Sequence, residues 1–286
     1  MENIDAKGST ASYILQAITS VMAGYLFVVN PYIPITLSTL LCMLTVLIAY
    51  RFEEIESVEK KPTSVKETIK DMKEGFQFMI HSHRLKALLL FTSLFVGVLM
   101  MISTYEKSLL QDLSVKPQYF GIIFAILTLE QGVSVQFQNK IHNRFRNKTL
   151  AFLSIPIFVS FIIIGITVAL NLNRMVTIIA VIAMFAVQHF FRSPYWTLEN
   201  KYITNFTDDY IRVKILSANK TLKAIFRIII TFLAGLLLNY NTTSEAYLII
   251  GVVGLIGIGL VLKYMQKKVG LEPEKYEKSD IDYRKD

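Results

Sequence analysis

The run LAFLSIPIFVSFIIIGITVAL, at residues 150–170, decides the fold because its 21 residues include no charged side chain. An α-helix rises 1.5 Å per residue, so about 20 apolar residues are needed to cross the ~30 Å hydrocarbon layer of a bilayer. Seven further stretches have similar length and polarity: 11–29, 32–50, 87–104, 118–137, 175–191, 217–238 and 246–264. The sequence therefore predicts an all-α fold, a polytopic membrane helix bundle of about eight transmembrane helices.

Composition agrees with a chain that lies in lipid. Hydrophobic residues make up 53% of the 286 residues and charged residues 18%, against roughly 25% charged residues in soluble domains. The net charge of +8 is typical of some nucleic-acid-binding proteins, but the basic residues lie in the gaps between apolar stretches. We therefore expect the lipid bilayer, and no nucleic acid, as a partner.

The distribution of Lys and Arg predicts the orientation. Eight spans place both termini on one side of the membrane, and Lys and Arg accumulate on the cytoplasmic side. With both termini in the cytoplasm, 24 Lys and Arg residues fall in cytoplasmic stretches, and only Lys107, Lys116 and Arg174 fall outside. We expect a multi-pass protein of the cell membrane with both termini cytoplasmic.

The longest polar gap divides the chain. Residues 53–84 are predicted to form a cytoplasmic linker with an amphipathic helix, because SVKE at residues 64–67 has the form of a capping box. Apolar residues at helical spacing follow it: Val65, Ile69, Met72, Phe76 and Met79. This stripe is interpreted as packing on the bundle or on lipid headgroups, with partner binding as the alternative. Residues 269–286 form a charged cytoplasmic tail that we expect to be disordered.

Several short motifs occur in an informative order. AGYLF at residues 23–27 is echoed by AGLLL at residues 234–238, and each is followed by a short polar loop and another span. KEGF at 73–76, YFGIIF at 119–124, YITN at 202–205 and RVKILS at 212–217 resemble segments of bacterial transporters of the major facilitator superfamily. The resemblance extends from residue 11 to about residue 268.

The resemblance implies a domain organisation. Residues 1–52 correspond to two transmembrane helices of the first half-bundle, and residues 85–268 to the six-helix second half-bundle. The spans thus match family helices five to twelve, which implies an N-terminally truncated chain. The segment QNKIHNRFR at 138–146 keeps basic residues of a family signature but not its glycine and aspartate, and the first span lacks the Gly-Pro pattern of drug antiporters. An antiporter is therefore not predicted.

The resemblance implies a secondary membrane transporter in the bacterial inner membrane, which moves an unidentified small solute by alternating access. Because the family binds its solute between two half-bundles, we expect a partial chain that works with a missing N-terminal segment or a partner chain. The alternative is a protein that does not transport, either a truncated remnant or a half that needs a partner.

Ionisable residues inside spans are the first site candidates, because a charge at the bilayer centre is unfavourable by about 2.5–3.5 kcal/mol. Glu130 and Arg227 each lie about 18 Å from the outer end of their spans. They are interpreted either as a structural pair that neutralises itself or as a proton- or substrate-coupling site. Gln131 and Gln16 are further candidates for the solute path, with interhelical hydrogen bonding as their simpler role.

Other polar residues of the spans are expected to lie at the membrane surface. His189 is interpreted as a solvated interface histidine, Tyr195 and Trp196 as aromatic anchors, and Lys223, like Lys220, as a side chain that snorkels to the surface. The sequence has no Gly-rich phosphate loop, HExxH or CxxC motif, so we expect no enzyme activity, no cofactor and no metal.

Overall fold

A computed structural model describes residues 2–51, 64–205 and 209–269. The first part of the predicted linker, 53–63, and all of the predicted tail after residue 269 lie outside these described residues. Within them the chain is helical and contains no β-strand. The helices are α1 (Glu2–Val29), α2 (Tyr32–Ala49), α3 (Val65–His81), α4 (His83–Asp112), α5 (Pro117–Ser134), α6 (Gln138–Phe145), α7 (Thr149–Ala169), α8 (Arg174–Asn205), α9 (Asp209–Tyr240) and α10 (Thr243–Val269), with 3-10 turns at Val135–Phe137 and Arg146–Lys148.

Eight helical stretches in the described part are long and apolar enough to cross a membrane. One of them joins α5 to α6, and α3 is not among them. All eight predicted spans fall on these stretches, so the prediction of an all-α polytopic membrane bundle is confirmed. The helices α4 and α8 continue for 8 and 14 residues beyond the predicted ends, and α1 and α9 begin 9 and 8 residues before the predicted starts.

Helix α4 lies at the centre of the bundle. It packs against α9 and α10, while α7 packs against α8 and α10, and α5 against α1 and α8. In its most apolar stretch 78% of the residues of α4 are buried, whereas none are buried in α2. Because lipid is as apolar as these side chains, a helix such as α2 needs no protein cover to be stable in a bilayer.

The amphipathic helix of the linker is present as α3. Phe76 packs against the hydrophobic core, whereas Ile69 is exposed. The other predicted positions at the helix ends, Val65 and Met79, have side chains outside the described part. The stripe therefore contacts the bundle through its C-terminal half.

Charge pairing and close backbone contact hold α3 on α9. The ammonium group of Lys214 lies 3.0 Å from Asp71 and 2.7 Å from Glu74. A Cβ atom added to Gly75 would lie 2.7 Å from the carbonyl oxygen of Lys214. Since the two acids are about 40% exposed, the ion pairs contribute about 1 kcal/mol or less each, and the glycine contact sets the distance between the helices.

Two buried tyrosines in the core make a matched pair for a stability measurement. Tyr105 donates a hydrogen bond of 2.7 Å to the carbonyl oxygen of Ala234, whereas the hydroxyl of Tyr247 has no hydrogen-bond partner among the described residues. Their rings contact each other at a centroid distance of 5.5 Å.

We expect Tyr105→Phe to lower the free energy of unfolding by about 1 kcal/mol, because the substitution removes a buried hydrogen bond. Tyr247→Phe removes only an unpaired hydroxyl and should leave stability unchanged or raise it. Unfolding in mixed micelles at rising SDS fraction measures both. Equal losses in the two variants would contradict the assignment of the Tyr105 hydrogen bond.

Candidate functional site

Polar side chains of the membrane-spanning part gather along one side of α8. Five such residues follow one another on this helix at spacings of one or three residues: His189, Arg192, Ser193, Trp196 and Glu199. Because residues three, four and seven apart share one side of an α-helix, they form a single stripe, called the α8 face below. Helix α5 packs on α8, and α9 reaches this face through the ion pair of Lys223 with Glu199.

A buried hydrogen-bonded chain crosses from α4 through α8 to α5. His189 Nε2 lies 2.9 Å from Glu106 Oε1, and Gln131 Nε2 lies 2.5 Å from His189 Nδ1. Glu106 is 1% exposed and His189 is 7% exposed. With the amide nitrogen of Gln131 donating, Nδ1 of His189 accepts, and Nε2–H donates to the carboxylate of Glu106. Three helices are therefore joined through one imidazole ring.

This arrangement can respond to a proton. A second proton on His189 would occupy Nδ1, and Gln131 would then have to rotate its amide to present oxygen instead of nitrogen. The second carboxylate oxygen of Glu106 is buried and has no hydrogen-bond partner in the described part of the chain, and Arg192 lies near enough for its charge to interact with Glu106. The charge of this cluster and the hydrogen bond between α5 and α8 are therefore linked.

The chain of hydrogen bonds continues to α1. Ser193 donates a hydrogen bond of 3.0 Å to the backbone carbonyl oxygen of Gln131. Since the Ser193 hydroxyl is used as a donor there, its oxygen accepts from the hydroxyl of Tyr13 at 3.2 Å. Movement of α1 relative to α8 would therefore remove the hydrogen bond from Tyr13 to Ser193, which itself binds the backbone of α5 at Gln131.

A second buried pair lies further along the α8 face. Lys223 on α9 forms a short ion pair with Glu199, which is 1% exposed, and its ammonium group lies 5.9 Å from the centre of the Trp196 ring. This pair ties α9 to α8, as the Glu106–His189 pair ties α4 to α8.

The four residues singled out from the sequence are placed differently. Gln131 is part of the buried chain, and the neighbouring Glu130 is half-buried and close enough to His189 for their charges to interact. Gln16 is exposed on α1 and donates to the hydroxyl of Ser12 at 3.1 Å. Arg227 is exposed on α9.

The structure does not bring Glu130 and Arg227 together. No ion pair joins them among the residues that the structure describes, so a self-neutralising pair is not formed. The reason is lateral position, because α5 packs on α1 and α8 while α9 packs on α4 and α3. Similar depth in the membrane does not place two residues on facing helices.

The interpretation of several α8 and α9 residues as membrane-surface residues was wrong. His189 is buried against Glu106 instead of being solvated. Tyr195 is 0% exposed, with its ring 4.7 Å from that of Phe95, and Lys223 is paired with Glu199 instead of snorkelling. The cause is shared: α8 continues as a helix through Pro194, so His189 and Tyr195 lie inside the bundle and Glu199 reaches Lys223.

Metal binding by a carboxylate and histidine cluster finds no support in the described ranges, where no group of three or more His, Cys, Asp or Glu side chains converges. The polar groups of the α8 face are suited instead to hydrogen bonding, ion pairing and proton exchange.

Comparison with known proteins supports a transporter-type bundle. A family model described as Major Facilitator Superfamily matches residues 106–283, which is more than half of the chain. No curated protein and no solved structure matches the chain. The match begins at Glu106 and covers the helices that carry His189, Glu130 and Arg227.

Proposed function

Since the chain belongs to the major facilitator superfamily, a family of membrane transporters, we propose that it moves a small solute across the membrane by alternating access, with the α8 face as part of the solute path. The driving force is an ion gradient or the solute gradient itself. The observation that carries the proposal is the buried chain from Glu106 through His189 to Gln131.

The free energy needed to bury these polar groups indicates that the chain from Glu106 to Gln131 does more than stabilise the fold. Burying a charged group in the bilayer is unfavourable, and a buried ion pair is often no more stabilising than apolar residues of the same volume. A chain of such groups across α4, α8 and α5 can instead have two hydrogen-bonded states, and alternating access requires helices with two arrangements. Glu106 and His189 therefore join Glu130, Gln131, Arg227 and Gln16 as proposed coupling or solute-binding residues.

The proposal includes further helices that cover the chain. We propose that residues 1–52 belong to one half-bundle, 53–84 to a cytoplasmic linker and 85–268 to the second half-bundle, and that four more helices in the same polypeptide or in a partner chain complete the first. None of the residues of α2 is buried, which leaves its surface open for such helices to pack on. Translation of the DNA upstream of the Met1 codon in all frames tests it, and finding neither four apolar spans nor a co-expressed four-helix protein would contradict it.

The proposed orientation in the membrane rests on the distribution of Lys and Arg. We propose a bacterial inner membrane with both termini in the cytoplasm, because Lys and Arg outside the spans concentrate on one side. A small solute and the bilayer are then the partners of the chain, and no chemical conversion of the solute is proposed.

Transport is tested by reconstitution. The full chain, with its four-helix complement where one is found, is placed in liposomes and assayed for counterflow of radiolabelled sugars, amino acids, carboxylates, nucleosides and organic cations. We expect saturable exchange of one solute class above the rate in empty liposomes. Exchange no faster than in empty liposomes across the whole panel would contradict a transport function for this chain.

A further inference from the structure

We propose that the transported solute is an anion, and that its negative group binds Arg227 on the side of α9 that faces Trp196. This inference rests on the proposed transport function and names the substrate class of the same path. It begins with three cations of α9, Lys220, Lys223 and Arg227. Their spacing of three and four residues places them along one side of the helix.

The ion pair of Lys223 orients that side of α9. Lys223 is bound to Glu199 and lies against the ring of Trp196, both on the α8 face. Arg227 follows Lys223 by one helical turn on the same side. It is therefore positioned beside the α8 face, one turn further toward the middle of the membrane.

The charge of Arg227 is not matched by an acid of the described chain. Glu199 is paired with Lys223, and Glu106 bonds to His189. Glu130 lies near His189 on the α5 side of the α8 face. No ion pair of Arg227 occurs within residues 2–51, 64–205 and 209–269, where its side chain is exposed. A cation without a counterion thus borders the proposed solute path.

Depth excludes simple contact with the lipid surface. Arg227 is 15 residues from Arg212 and 13 from Tyr240, the ends of this membrane-spanning stretch, and so lies about 20 Å from either end. An arginine side chain does not reach that far, and an unpaired cation at this depth is unfavourable. A carboxylate or phosphate offers two oxygens to the planar guanidinium group and neutralises it. A solute that carries such a group is the expected ligand.

Trp196 is the only tryptophan in the sequence, so its fluorescence reports on this position in the full chain. Iodide is an anionic quencher and acrylamide a neutral one. At constant ionic strength, succinate, benzoate and inorganic phosphate are titrated into the purified protein, with succinamide and benzamide as neutral controls of the same shape. We expect one or more of the anions to reduce iodide quenching by about twofold or more through occupation of the positive site. Acrylamide quenching and the two amides should show no such effect.

Two variants separate Arg227 from general surface charge. Arg227→Met should abolish the protection by anions, whereas Arg144→Met, which removes an exposed arginine on α6, should keep it. Protection by the amides as strong as by the anions would overturn the proposal, and this comparison in the wild-type protein stays decisive if Arg227→Met does not fold. The proposal would also be overturned if phosphatidylglycerol vesicles protected Trp196 from iodide while none of the free anions did. The site would then hold a lipid headgroup instead of a soluble anion.

Two experimental outcomes distinguish the anion site from the transport function. Counterflow of a neutral or cationic solute alone would support transport and overturn an anionic substrate. Anion protection of Trp196 that depends on Arg227, without counterflow of any solute, would support an anion site and contradict transport.

Discussion

Glu106→Gln is expected to reduce counterflow of the solute identified by the panel by about 10- to 100-fold. A buried hydrogen bond to a charged group contributes about 1.5–3 kcal/mol. If this free energy stabilises only the transition state between the two arrangements of the transporter, its loss slows transport by this factor. Glutamine keeps the size of the side chain and still accepts from Nε2–H of His189, but it carries no charge opposite Arg192. Initial rates in liposomes, normalised to folded protein, measure the effect.

A matched control uses an acid outside the buried chain. Glu245 is exposed at the start of α10, where it accepts hydrogen bonds from Thr242, and Glu245→Gln retains an oxygen that can do the same. Its counterflow rate should stay within about twofold of the wild-type rate, as is typical of a surface change. An unchanged rate in folded Glu106→Gln protein would show that the carboxylate of Glu106 has a structural role only.

The helices could be predicted because the bilayer imposes a simple rule on length and polarity. Residues 150–170 contain no charge, and α7 (Thr149–Ala169) differs from the prediction by one residue at each end. The same rule predicts helix ends poorly where a helix continues beyond the bilayer and packs against other helices instead of meeting water. The span at 87–104 is predicted to end before Lys107, which the sequence analysis places in an outside loop. Apolar Tyr105, Leu109 and Leu110 continue the helix, and all three are buried.

Helix α8 illustrates the same limitation at its inner end. Arg192 and Pro194 together favour a helix end, and this assignment led to the wrong environment for His189. The helix continues because its later residues face partners: Tyr195 packs on Phe95, and Glu199 binds Lys223. A signal was present in the sequence, since Tyr195, Leu198, Tyr202 and Ile203 keep helical spacing beyond the proline.

The sequence could predict which kinds of residue form the candidate site, but not which residues they contact. Depth along a span singles out Glu130 and, beside it, Gln131, because it depends only on sequence position. Partner choice depends on which helices are neighbours, and no count along the chain reveals that α5 adjoins α8 and not α9. For this reason the sequence singles out Gln131 but not its partner His189, and it offers Glu130 and Arg227 as a possible pair although no ion pair joins them in the described part of the chain.

The contact between α1 and α5 gives the second large expected effect. The helices approach at two glycines, where a Cβ atom on Gly121 would lie 2.6 Å from the carbonyl oxygen of Ser20 and 3.1 Å from Cα of Gly24. The hydroxyl of Ser20 donates a hydrogen bond of 3.1 Å to the carbonyl oxygen of Gly121. Because the opposing atoms near Gly121 belong to the backbone, they cannot move aside as a flexible side chain would.

Gly121→Leu is therefore expected to separate α1 from α5 and to lower the free energy of unfolding by about 1–3 kcal/mol or more, the usual result of overpacking. Gly235→Leu is the matched control, because a Cβ atom on Gly235 would meet nothing within 4 Å, and it should be nearly neutral. SDS titration measures stability, and hydrogen exchange of α1 amides measures its separation. Equal stability of the two variants would show that the close contact is not needed.

The same substitution connects packing with function. Tyr13 reaches Ser193, and through it Gln131, only while α1 stays against α5. If α1 moves away in Gly121→Leu, the Ser193 hydroxyl loses its donor from Tyr13, while the bond between Glu106 and His189 does not involve α1. Counterflow lost in Gly121→Leu but kept in Tyr13→Phe would therefore assign the loss to helix position, whereas loss in both would assign it to the hydrogen bond from Tyr13. The two variants together separate the role of α1 as a moving element from its role as a support for Gln131.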